Sequence, residues 1–135
     1  MRGEEHNLFV YGTLMVPAVM QAVTGHAFRS LPATLTGYAR FRIKQQVYPG
    51  IVTGRDSSVD GLLYYAIDAQ SMQRLDEFES EVYRRSEVTV QPADGGEETA
   101  WAYVIAPSYE HLLSSDGWDL AQFQRQHLQR YLAGI

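Results

Sequence analysis

The segment "LDEFESEVYRR", residues 75–85, puts three carboxylates, Asp76, Glu77 and Glu79, within one helical turn of each other. They are not equivalent. Met72, Leu75 and Phe78 recur at helical spacing, and Asp68 ahead of them can cap a helix by accepting a backbone N–H. At about 100° of rotation per residue, Glu77 lies roughly 160° from the centre of this stripe and faces water. Asp76 lies roughly 100° away, on the flank. Glu79 is only about 40° from the centre, above Met72 and Leu75, with Val82 continuing the face. A carboxylate held against apolar surface has its charged form disfavoured, so its pKa rises. That is the condition for a general base or acid near neutral pH. A second reading uses the same residues: Glu79 pairs with Arg84 or Arg85 at the helix end, or reaches past the stripe into water. Spacing alone leaves both readings open.

Other chemistries find little support. The chain has no cysteine, which excludes disulfides, thiolate metal sites and cysteine nucleophiles. His6, His26, His111 and His127 show no metal-ligand spacing, and His127 falls in an apolar helical stripe, where a packed core histidine is the expectation. No serine stands in a GxSxG context, and neither a Walker pattern nor GxGxxG occurs. No metal or redox cofactor is inferred. Tyr11, Tyr48, Tyr83 and Tyr103 can line a polar pocket, although packing in a core or interface is the default for each.

The elements that must position these groups can be traced along the chain. "FVYGTLMVP", residues 9–17, reads as the end of a strand (8–11) that stops at a Gly-Thr corner. Glycine there permits unusual backbone angles or a close approach of another group to the main chain. Residues 14–23 follow as a short helix with Pro17 in its first turn. A strand spans 33–44 with a bend at Gly37, and a turn-rich "YPGIVTG" leads to an apolar strand at 60–67. "EVTVQ" and "TAWAYVIA" flank an Asp-Gly-Gly hairpin signal. Residues 118–132 have helical spacing, with Leu120, Phe123, His127 and Tyr131 on one face. Five or six strands joined mostly by short turns, with two clear helices, point to an α+β fold on a mainly antiparallel, barrel-like sheet.

Bulk properties agree. At 135 residues, without repeats or linkers, one domain covering 1–135 is expected. A hydrophobic share of 45% against 20% charged argues against disorder. The formal charge of −5, with no basic cluster, makes nucleic acid and anionic membrane unexpected partners. The opening "MRGEEHN" is too acidic for a signal peptide and no apolar run is long enough to span a bilayer, so the cytoplasm is the expected location.

The YGTL corner and the inward Glu of LDEFE together resemble the gamma-glutamylcyclotransferase-like superfamily, and within it the gamma-glutamylamine cyclotransferase and avirulence-induced-protein-like branch. "FVYGTLM", "YPGIV", "VDGLLYYAI", "LDEFESEVYRRSEVTV", "TAWAYVI" and "WDLAQFQRQHLQRYL" carry the likeness in order over nearly the whole chain. The resemblance implies a small, mostly antiparallel β-barrel with flanking helices. It implies an enzyme without cofactor that cyclises a γ-linked glutamyl group to 5-oxoproline and releases an amine. Glu79 would be the catalytic acid/base, and Tyr11, Gly12, Thr13, Leu14 and Met15 would hold the glutamyl moiety through the backbone. The departing amine would meet variable segments, here 44–58 and 106–118. Where family members often carry Gly after the key Glu, this chain has Ser80. The alternatives are a non-catalytic small-molecule binding module on the same scaffold, or cleavage of a related amide in a biosynthetic pathway. Oligomeric state is left open.

Overall fold

The computed structural model describes residues 4–135. Residues 1–3, part of the acidic opening stretch read above as unlike a signal peptide, lie outside the described residues. Five strands, β1 (Glu5–Val10), β2 (Ser30–Arg42), β3 (Pro49–Asp68), β4 (Tyr83–Pro92) and β5 (Glu98–Ile105), are joined with four α-helices, α1 (Pro17–Thr24), α2 (Ala69–Glu79), α3 (Leu120–Gln126) and α4 (Leu128–Ala133). The strands run in the order β1-β3-β2-β4-β5 and the sheet closes on itself. All neighbours are antiparallel except β1 and β5, which are parallel and close the sheet. The result is an α+β fold with a five-strand mixed sheet and flanking helices.

The apolar run at the end of β1, Leu8 to Val10, is buried on both faces, as a strand between two apolar layers must be. Alternation sends Leu8 and Val10 to a core shared with the helices, where they meet Val19, Met20, Met72, Leu75 and Phe123. It sends Phe9 and Tyr11 to a second core inside the sheet, with Leu35, Ile51, Leu63 and Val90. Two clusters explain why so short a strand carries no polar residue from Leu8 to Val10.

Several elements differ from the expectations above. The turn-rich segment and the strand 60–67 form one strand of 20 residues, because β2 pairs along most of its length, from Arg42↔Pro49 to Ser30↔Tyr64. Pro49 stands at the strand's first position, where its missing N–H costs little. Turn-forming residues inside it make an excursion at 54–57 opposite Gly37, where the register jumps between Thr36 and Tyr38. Gly37 has φ +86° and supplies the expected bend. The helix expected from residue 14 begins at Pro17, because a residue preceding proline is pushed out of the α region. Val16 accordingly is extended, and Thr13–Met15 forms a separate 3-10 turn. The helix expected over 118–132 is interrupted at His127, which has φ −130°. His127 is half-buried and lies against the Phe123 ring at 6.5 Å, at the edge of the core rather than within it.

Candidate active site

The corner after β1 is held by its carbonyls. Tyr11 O accepts from Arg40 Nη1 at 2.8 Å, and Leu14 O from the Tyr64 hydroxyl at 2.9 Å. Gly12 O and Thr13 O accept from the amides of Met15 and Val16 at 3.0 and 3.1 Å. All four carbonyls from Tyr11 to Leu14 are thus engaged. The amides of Gly12, Thr13 and Leu14 have no acceptor among the described residues, as the first turn of a helix requires unless something outside it accepts. Gly12 is needed for close approach rather than for an unusual φ. Its φ is −132°, while a Cβ there would meet Pro49 Cδ at 2.9 Å and Cγ at 3.0 Å.

Glu79 is brought to this corner by α2. Asp68 caps the helix by accepting from Ser71 N at 3.1 Å, and Met72 and Leu75 are buried beneath it. The apolar stripe turns Glu79 inward, and it lines a cavity of ≈ 520 Å³ together with Tyr11, Gly12, Thr13 and Leu14. Among the described residues no group donates a hydrogen bond or ion pair to its carboxylate. Burial, and secondly the charge of Asp76, push its pKa up to about 8. Its place at the C-terminal end of the helix dipole acts in the same direction. The ion pair considered above forms elsewhere: Arg85 Nε lies 3.3 Å from Asp76 Oδ1, which also accepts from the Tyr103 hydroxyl at 2.8 Å. Asp76 on the helix flank is therefore the satisfied acid, and Glu79 the unpartnered one. Asp76→Asn removes the like charge beside Glu79, so the pKa of Glu79 is expected to fall toward the ordinary carboxylate value. Direct titration of Glu79 by carboxyl-labelled NMR checks this.

Met15 packs against the core shared with the helices and does not line the cavity, because the 3-10 turn rotates it away from the residues before it. Five tyrosines do line it: Tyr11, Tyr48, Tyr83, Tyr103 and Tyr131. Tyr11 donates to Tyr103 O at 2.5 Å and Tyr83 to Pro49 O at 2.8 Å. Burial foremost holds the phenols of Tyr11, Tyr83 and Tyr103 above the ordinary tyrosine pKa, the nearby charges of Glu79 and, for Tyr103, Asp76 adding to it. All three stay protonated. Tyr131 comes from the C-terminal helix, where spacing had shown it only as part of an apolar face. After the break at His127 its ring packs on Phe123 and Phe78, and its hydroxyl lies 3.2 Å from Thr13 Oγ1. A tyrosine ending an otherwise apolar stripe was the available signal.

Ser80 ends α2 with φ +64° and ψ −166°, a region occupied essentially by glycine alone. Ser80→Gly is expected to stabilise the protein by about 1 kcal/mol, at the low end of the cost of such strain. A higher thermal midpoint would show it.

An unpartnered carboxylate of raised pKa and the free backbone amides of the corner thus line one aromatic cavity. Comparison with known proteins identifies the family. The family described as gamma-glutamyl cyclotransferase, AIG2-like, matches residues 8–120. AIG2-like protein D of Arabidopsis thaliana is 32% identical over 129 residues, covering 94% of this chain and 84% of its own. A solution structure of another Arabidopsis thaliana protein superposes with a TM-score of 0.77 at 25% identity, covering 98% of this chain and 81% of that one. A solved gamma-glutamyl cyclotransferase shares the fold, with a TM-score of 0.67 at 18% identity over 97% of this chain and 86% of its own. The chain belongs to the AIG2-like gamma-glutamyl cyclotransferase family.

Proposed function

We propose that the chain, as one domain, is a gamma-glutamyl cyclotransferase that converts a γ-glutamyl amine or peptide to 5-oxoproline and a free amine, with Glu79 as general base and acid. The observation that carries this reading is the unpartnered Glu79 carboxylate, its pKa pushed up to about 8, in one cavity with Gly12, Thr13 and Leu14. The nucleophile is the substrate's own α-amino group, so no serine or cysteine is needed. Closing a five-membered ring makes the attack intramolecular and offsets much of its entropy cost. Glu79 takes the proton from the attacking amine and returns it to the leaving nitrogen. Free amides at the corner suit an oxyanion or the substrate carboxylate. The roles of Tyr11 through Leu14 follow from this. Met15 contributes by fixing the turn.

The test is product analysis across γ-glutamyl amines and dipeptides, scoring 5-oxoproline. Release by the wild type supports the reading. Binding without release would favour a non-catalytic module on the same scaffold.

A further inference from the structure

The connection between β2 and β3 lines the same cavity through Ile43, Lys44, Gln45, Gln46 and Tyr48. It is held in place at many points. Ile43 N donates to Tyr48 O at 3.1 Å, Gln46 N to Ile43 O at 3.1 Å and Lys44 N to Leu112 O at 2.8 Å. Arg42 Nη1 donates to Gln46 O at 3.3 Å, and Trp118 Nε1 to Val47 O at 2.7 Å. Gln45 takes a left-handed φ of +63°, so the tip is a defined turn. A wall this well anchored can discriminate between ligands, because its groups need little ordering when one binds.

The chemistry of that wall is one-sided. Among the described residues lining the cavity, Lys44 is the one cation and Glu79 the one carboxylate. They come from different elements, Glu79 from the end of α2 and Lys44 from the β2–β3 turn. Lys44 is exposed, and no described carboxylate lies in ion-pair distance of it. Beside it, Gln45 and Gln46 bring side-chain amides able to donate. Tyr48 is the one tyrosine of the wall whose hydroxyl has no partner among the described residues.

We infer that Lys44, on this turn, selects a departing group bearing a carboxylate. The favoured substrate class is then γ-glutamyl amino acids and peptides with a free C-terminal carboxylate, over γ-glutamyl alkylamines and amines with a cationic tail. The inference rests on the reaction proposed above for which end of the substrate faces which wall. A carboxylate on the departing side meets Lys44 and the glutamine amides. A cationic tail meets Lys44 as a like charge and loses affinity.

The test compares γ-glutamyl-alanine with its C-terminal amide, which replaces the charged carboxylate by a neutral group of nearly the same size. Wild-type protein is expected to favour the carboxylate form in kcat/KM by about fivefold, the upper range for a solvent-exposed ion pair. Lys44→Met should remove the preference and Lys44→Glu reverse it. Equal preference in wild type and Lys44→Glu would overturn the inference, as would a wild-type preference for the amide. Calorimetric binding of both compounds to Glu79→Gln, with and without Lys44→Glu, reads the same preference without turnover. Failure of the reaction therefore shows as binding without 5-oxoproline, and failure of the inference as binding indifferent to Lys44. Absence of binding by either compound overturns it too.

Discussion

Replacing Glu79 by Gln is expected to lower 5-oxoproline release by about 10²–10⁴-fold, the usual contribution of a positioned acid or base, while making the protein more stable at alkaline pH. Both effects have one cause. The carboxyl has its pKa moved from the ordinary 4.5 to about 8. Between those values the folded chain keeps a proton that the unfolded chain has released. Stability therefore falls as pH rises through that window and levels off above about 8. Glutamine has the shape of the neutral acid and is spared this cost. The side chain opens onto the cavity, whose water tempers the effect, so the gain at pH 8.5 is expected to be about 3 kcal/mol rather than the full linkage value. At pH 4.5 the two proteins should be nearly equally stable. Urea denaturation at both pH values checks this, and equal stability at pH 8.5 would mean that Glu79 is ordinarily ionised. In kcat/KM, wild-type activity should rise with pH toward about 8 as the base ionises, and deprotonation of the substrate amine adds to the rise.

Gly61→Ala should cost about 3 kcal/mol or more, at or beyond the top of the range for overpacking a core. A Cβ at Gly61 would stand 2.1 Å from Val10 O and 2.8 Å from Phe9 Cζ. The first is backbone and cannot step aside. Phe9 is fully buried and has nowhere to turn. The damage would reach the site directly, because Val10 leads into the Tyr11–Gly12 corner. A drop in urea midpoint with an unchanged m-value is the expected signature. Gly117→Ala, where an added Cβ meets nothing within 4 Å, serves as the neutral control.

Much of this site could be read from residue order, because a helical stripe is a local property. Met72, Leu75 and Phe78 set the inward direction of Glu79 before any tertiary contact is known, and Asp68 marks where the helix starts. Other features depend on partners distant in sequence. Nothing near Arg85 says that it will choose Asp76 over Glu79, at an oxygen that also accepts from the Tyr103 hydroxyl of β5. The unity of β3 was hidden because proline and three glycines suggest turns, and only the length of β2 opposite shows that they are absorbed by one bent strand. Tyr131 joins the cavity through the break at His127, a change of direction that helical periodicity cannot express. The strained φ of Ser80 is likewise invisible to composition.

The tyrosine wall has a consequence for what the cavity can recognise. The hydroxyl protons of Tyr11, Tyr83 and Tyr103 are already given to Tyr103 O, Pro49 O and Asp76, so toward a ligand these phenols can only accept. With Glu79 they supply acceptors, while the backbone groups left free at Gly12, Thr13 and Leu14 are N–H donors. A cavity so lined offers acceptors from its side chains and donors from its backbone. For the substrate proposed above, the expected match is a zwitterion, ammonium to the phenols and carboxylate to the amides, and a molecule carrying only one of the two charges is expected to bind less well.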